Sequence, residues 1–136
     1  MIEPHDFVSS GKSMIGESET GNRNAVSRIY YGVYHTGLLF ARAHLGFTYD
    51  AGHSMHKQLI LFFKTSNDRK LKVIGRQIEK LRNSRNEADY FLESHVSPED
   101  AREDLKLALQ TIAQIEQMKA RSEEHTSELQ SRVSIS

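Results

Sequence analysis

Leu81-Arg82-Asn83-Ser84-Arg85-Asn86-Glu87-Ala88-Asp89-Tyr90 decides how this chain is read. Leu81 and Ala88 extend a stripe begun by Leu71, Ile74 and Ile78, at spacings of three, four and seven. That period belongs to an α-helix with one apolar face turned to a core. The opposite face is polar. Arg82 and Arg85 stand one turn apart, and Asp89 follows Arg85 by four, so the three share a stripe in which Arg85 and Asp89 pair in register. The plain reading of that stripe is a solvated helix face with a salt bridge worth about 0.3–0.5 kcal/mol.

Working outward, the helix is expected from Arg69 to about Leu92, with Phe91 or Leu92 on its inner side. Thr65-Ser66-Asn67-Asp68 is the turn and N-cap cluster before it. His53 to about Lys64 reads as another helix, with Met55, Leu59, Ile60, Phe62 and Phe63, after a loop over Phe47–Gly52. A long helix precedes that loop, from Asn22 to about Leu45, with Ala25, Ile29, Val33, Leu39 and Phe40 as apolar positions and Gly46 as its stop. Gly32 and Gly37 lie inside it, where each costs about 1 kcal/mol against Ala, so they mark close approach of another helix. Pro4 to Ile15 forms a short first helix with Phe7, Val8, Met14 and Ile15. Downstream, Ser97-Pro98-Glu99-Asp100 is a strong helix start. The last helix is expected to reach about Met118, with Ala101, Leu105, Ala108, Leu109, Ile112 and Ile115 inward. No stretch has the period-two alternation of a half-buried strand. The expected fold is all-α: an up-and-down helical bundle of four main helices plus a short N-terminal one, as one domain over residues 1–120.

Composition narrows the function classes. In 136 residues, 18 Lys and Arg balance 18 Asp and Glu, so no global basic field announces nucleic acid. With no cysteine, disulfides and thiolate metal sites are excluded. No apolar run approaches membrane-spanning length, and Met1-Ile2-Glu3-Pro4-His5-Asp6 is not a secretory signal, so a cytoplasmic protein is expected, with no membrane partner. No Gly-rich phosphate loop, nucleophile elbow or paired-carboxylate site is present, and no cofactor is implied. The stretch Arg121-Ser122-Glu123-Glu124-His125-Thr126-Ser127-Glu128-Leu129-Gln130-Ser131 looks like the in-frame translation of a short-read sequencing adapter. On that reading the native C-terminus is unknown beyond about Ala120, and residues 121–136 form a non-native, disordered tail left out of the functional reading. The other reading is a genuine polar tail.

Two further constellations could carry chemistry. Ser27-Arg28-Ile29-Tyr30-Tyr31-Gly32-Val33-Tyr34-His35 sits on the long helix. Arg28 and His35, seven residues apart, fall within roughly 20° of one another on one face, with Tyr31 between them. Tyr and His at this spacing are often core or interface residues. They could also face Arg82, Arg85 and Asp89 across a groove of cations and π faces suited to a nucleotide or an RNA phosphate. The aromatics Tyr30, Tyr31, Tyr34 and Phe40 on this helix also argue for a homodimer. The second constellation is Gly52-His53-Ser54-Met55-His56-Lys57, at a helix start. A capped helix start is the default. The His53 and His56 pair, with Asp50, makes a weak metal case, and Ser54 with Lys57 could hold a phosphate at the helix N-terminus.

Arg28-x-Tyr30-Tyr31-x-x-x-His35, Gly52-His53-Ser54 and Arg85-x-x-Ala88-Asp89-Tyr90 together resemble HEPN domains, in the form of an uncharacterised bacterial subgroup. The likeness runs from about Asn24 to Ile115. It implies a small all-helical domain, commonly homodimeric, often encoded beside a minimal nucleotidyltransferase in toxin–antitoxin-like or defence modules. Catalytic members are ribonucleases in which an Arg is followed four to six residues later by His: the Arg supports charge on the scissile phosphate, and the His handles protons. Here neither Asn86–Asp89, after Arg82, nor Tyr90–Leu92, after Arg85, contains His. The resemblance therefore implies a nucleotide- or RNA-binding protein without ribonuclease activity, binding through Arg28, Tyr31, His35, His53, Arg82, Arg85, Asp89 and Tyr90. The alternative is a metal-independent ribonuclease toxin, with Arg85 and an imidazole from His35 or His53 as catalytic candidates.

Overall fold

The computed structural model describes the backbone of residues 1–135 and the side chains of residues 1–124. It is all-helical, with no strand among the described residues: α1 (Pro4–Met14), α2 (Glu19–His44), α3 (Met55–Lys64), α4 (Arg69–Tyr90) and α5 (Pro98–Ile135). The starts follow from their caps. Ser18 accepts from Gly21 N–H, Ser54 from Lys57 N–H, and Asp68 from Lys70 and Leu71 N–H. Ser97 and Asp100 form a reciprocal capping box, each side chain 3.0 Å from the other's backbone nitrogen. Gly46, at φ +70°, ends α2 by letting the chain enter the left-handed region.

Side-chain pairings fix the helix directions. Gly11 lies beside Ala25 and Ile29 while Val8 lies beside Gly32, so α1 runs antiparallel to α2. Ser27 meets Asp89, Tyr31 meets Arg85, and Gly37 meets Ile78, so α2 and α4 are antiparallel too. Thr111 bonds Gln77 and Asp104 bonds Ser84, which makes α5 antiparallel to α4. Helix α3 breaks the alternation. Its His56 meets Tyr30 and its Leu59 and Phe63 approach Gly37, so it runs in the same sense as α2. The segment 45–54 carries the chain back along α2 before α3 begins.

The core follows the expected stripes at Ala25, Ile29, Val33, Phe40, Leu59, Ile60, Phe63, Leu71, Ile74, Ile78, Leu81, Ala88, Ala101, Ala108 and Ile115. Four positions expected inward face solvent instead. Leu39 and Leu109 are 55% and 52% exposed. On α2 the buried leucine is Leu38, because α1, α3, α4 and α5 all pack on this helix and its apolar surface is not one stripe. Phe91 and Leu92 are exposed because α4 ends at Tyr90 and the chain turns away. Helix α5 continues past Met118, since no Gly or Pro follows to stop it. The tail expected over 121–136 lies, from residue 125 onward, outside the described side chains, and Ser136 lies outside the described backbone.

A polar hub closes the other end. Buried Asn22 accepts from Gly16 N–H at 2.8 Å and donates to the Val96 carbonyl at 3.2 Å, tying both neighbouring connections to α2. Beside it, Arg23 donates to the carbonyls of Ala88, Phe91, Leu92 and Ser94, and to Glu19. The Arg23 guanidinium holds the Glu19 carboxyl below its ordinary range.

Candidate functional site

The antiparallel register of α2 and α4 sets Tyr31 against Arg85. The Tyr31 hydroxyl accepts from Arg85 Nη2 at 2.8 Å. Arg85 Nε is 3.0 Å from Asp89 Oδ2, an ion pair whose angle does not make a hydrogen bond, and Ser27 donates to the same carboxylate oxygen at 3.3 Å. The guanidinium also lies over the rings of Tyr31 and Tyr90, at 5.3 and 5.5 Å from their centroids. Arg85, Asp89, Tyr31 and Tyr90 thus form one assembly, with Tyr90 exposed at its edge.

Next to it, a cavity of about 520 Å³ opens between α1 and α2, lined by Phe7, Met14, Asn24, Ser27, Arg28, Tyr31 and His35. Arg28 is exposed at its rim. His35 stacks on Phe7 at 5.4 Å, and burial holds its imidazole below the ordinary pKa. The seven-residue spacing of Arg28 and His35 does place both on one wall. Arg82 does not face this cavity. It lines a separate groove between α3 and α4 with Lys57, Ile60, Leu61, Lys64 and Glu79.

His53 is not brought to the seam. Its side chain is 75% exposed, 3.5 Å from Asp50. The histidine that arrives is His56. Its ring stacks on Tyr34 at 4.0 Å, and its Nδ1 is 2.6 Å from the Tyr30 hydroxyl. Burial first, then the charges of Arg82, Arg85 and His35, push its pKa down to about 4. Burial pushes the Tyr30 phenol well up. At neutral pH both groups are uncharged, so the contact is a neutral hydrogen bond whose direction follows the imidazole tautomer. The sequence did carry a signal for this. With Ser54 as the N-cap, His56 shares the i, i+3, i+4, i+7 stripe of Leu59, Ile60 and Phe63, whereas His53 precedes the helix. Because His56 is engaged by Tyr30, the weak metal pairing with His53 and Asp50 is not assembled. No cluster of three or more His, Cys, Asp or Glu side chains suited to a metal occurs among the described residues.

The aromatics of α2 serve the interior of this chain. Tyr30, Tyr34 and Phe40 are buried and Tyr31 is half-buried, which removes the surface-aromatic argument for a dimer. No helix among the described residues is long and apolar enough to cross a membrane. No protein-family model, curated protein or solved structure matches the chain.

The perturbed groups have a pH consequence. His56 folds with a depressed pKa, so its contribution is present above pH 6.5 and is lost as pH falls toward about 4. Asp104 has the opposite sign. Burial beside Ser84, with Asp100 and Glu103 near, raises its carboxyl from 3.8 to about 6, so its contribution is present below pH 3.8 and is lost as pH rises through about 6. Both groups retain solvent contact, so screening limits each contribution to about 1 kcal/mol. Between pH 4 and 6 they offset one another. Urea melts across that window should show Asp104→Asn gaining stability relative to the parent as pH rises, and His56→Phe losing it. Parallel profiles for parent and variants would contradict the assignment.

Proposed function

We propose that this chain is a HEPN-like nucleotide- or RNA-binding protein without ribonuclease activity. It acts in the cytoplasm, as a homodimer, with a nucleotidyltransferase-type partner in a toxin–antitoxin-like or defence module. Helices α2 to α5, with α1 laid on α2, are read as that domain. One observation carries the binding reading: Tyr31, which holds Arg85 by its hydroxyl, also lines a cavity walled by Arg28 and His35. A fixed guanidinium suits a phosphate, and aromatic and imidazole faces suit a base or ribose. The homodimer and the nucleotidyltransferase partner rest on the resemblance alone, and sedimentation velocity and co-purification test them.

Fluorescence anisotropy with a short single-stranded RNA and with nucleoside triphosphates tests the binding reading. Arg28→Ala and Arg85→Ala should each weaken binding about tenfold and lower the salt dependence by about one counterion. Binding of neither RNA nor nucleotide by the parent would end it.

A second reading, a metal-independent ribonuclease toxin, is favoured by His56, an imidazole that α3 delivers into the field of both arginines. It takes the place considered for His35 or His53. RNA cleavage in the presence of chelator, abolished by Arg85→Ala and by His56→Ala or His35→Ala, would establish this reading. No cleavage by the parent leaves the binding protein.

A further inference from the structure

We propose that the groove between α3 and α4 is a phosphate-binding subsite, with Arg82 as its central cation and Lys57 at its rim. This rests on the nucleotide or RNA reading and extends it to a second face of α4. The groove has a volume of about 330 Å³. The decisive observation is an arginine without an acceptor. Arg82 is half-buried, its Nε is inaccessible and unpaired, and the residue makes no hydrogen bond or ion pair with the described residues.

The other two arginines that are not exposed are both engaged. Arg23 binds four carbonyls and Glu19, and Arg85 binds Tyr31 and Asp89. A guanidinium does not shed its proton when buried, so an unpaired one is a standing electrostatic cost.

The groove's own acidic acceptor is already committed. Glu79, the one carboxylate lining the groove, takes two bonds from Lys64 at 2.9 and 3.0 Å. The Tyr31 hydroxyl takes Arg85, and His56 Nδ1 is engaged with the Tyr30 hydroxyl. Lys57, which is exposed, makes no ion pair and brings a second positive charge to the rim. With Glu79 taken by Lys64, the charges of Arg82 and Lys57 have no carboxylate of their own among the described residues, and they suit a phosphate oxyanion. The ligand chemistry is a phosphate group, from a free nucleotide or from the backbone of an RNA strand.

The test is titration calorimetry of the full chain with inorganic pyrophosphate, adenosine diphosphate and a short uridine oligonucleotide, using Arg82→Met, Lys57→Gln and Lys106→Gln. Methionine keeps the apolar stem and removes the charge. Arg82→Met should weaken pyrophosphate binding about tenfold or more, Lys57→Gln about threefold, and Lys106→Gln, on the exposed face of α5, should leave it unchanged. Arg82→Met should also melt no lower than the parent, because a cation with no partner is removed; a clearly lower melt would identify Arg82 as structural and overturn the proposal.

Pyrophosphate binding that is absent, or unchanged in Arg82→Met, would also overturn it. Arg82-dependent pyrophosphate binding without RNA or nucleotide binding would keep the subsite and remove the proposed function. RNA or nucleotide binding that ignores Arg82 would do the reverse. Alongside the loss of pyrophosphate binding, a loss with the oligonucleotide but not with adenosine diphosphate assigns the phosphate to RNA, and a loss with adenosine diphosphate as well assigns it to nucleotides.

Discussion

Arg23→Ala should lower the unfolding free energy by about 3 kcal/mol, a loss on the scale of truncating a core side chain. Its side chain is only 13% exposed. It donates to the carbonyls of Ala88 at 2.8 Å, Phe91 at 3.2 Å and Leu92 at 3.3 Å, and to Ser94. The end of α4 leaves carbonyls without intrahelical partners, and the Arg23 fork satisfies them in place of a glycine cap. Hydrogen bonds to a charged donor are worth about 1.5–3 kcal/mol each, but these share one guanidinium and do not add. Truncation leaves the carbonyls to water that reaches them only in part. Arg23→Lys keeps the charge but not the fork, so it should recover about half of the loss. Urea denaturation of both variants checks this, and equal stability of Arg23→Ala and the parent would remove Arg23 from the account of the fold.

Helix identity was legible because the apolar spacing and the cap residues Asp68 and Ser97 are local signals, while the caps Ser18 and Ser54 differ from the expected starts at Asn22 and His53. The pairing of Arg85 with Asp89 was legible for the same reason, since a four-residue spacing on a helix fixes the geometry. Arg23 was not. Its partners are backbone carbonyls 65 to 71 residues away, and a carbonyl has no residue type to recognise. The division of the arginines was equally hidden. Arg82 and Arg85 share a stripe, yet the stripe lies where α2 and α3 both meet α4, so one arginine turns to Tyr31 and the other to the groove beside Lys57. His56 was hidden behind His53 until the N-cap was fixed, because moving the helix start by two residues changes which histidine faces inward. Leu39 was misplaced because α2 is covered on several sides, and one-stripe periodicity does not describe such a helix.

The position of α3 on α4 is set by a glycine, and this gives the second large effect. A Cβ on Gly75 would stand 2.8 Å from Phe63 Cβ, 2.9 Å from Lys64 Cγ and 2.9 Å from the Lys64 backbone nitrogen. Two of these atoms belong to the backbone or its first carbon and do not swing away. Replacing a helical glycine recovers up to about 1 kcal/mol of helix propensity, less for a β-branched residue. Overpacking a buried contact of this kind costs about 1–3 kcal/mol, so the steric term wins. Gly75→Val should therefore destabilise the chain by about 2–3 kcal/mol in urea melts. The same displacement has a functional reading. Lys64 leaves Gly75 to bind Glu79, and one to two turns earlier on α3 stand Lys57 and His56, opposite Arg82. Pushing α3 outward at Gly75 shifts these groups relative to Arg82 and to the Tyr30 hydroxyl. Gly75→Ala, the milder variant, should remain folded while weakening Arg82-dependent phosphate binding more than any binding through Arg28. Equal loss at both places would point to general unfolding, and no loss at either would show that the α3–α4 spacing is free to adjust.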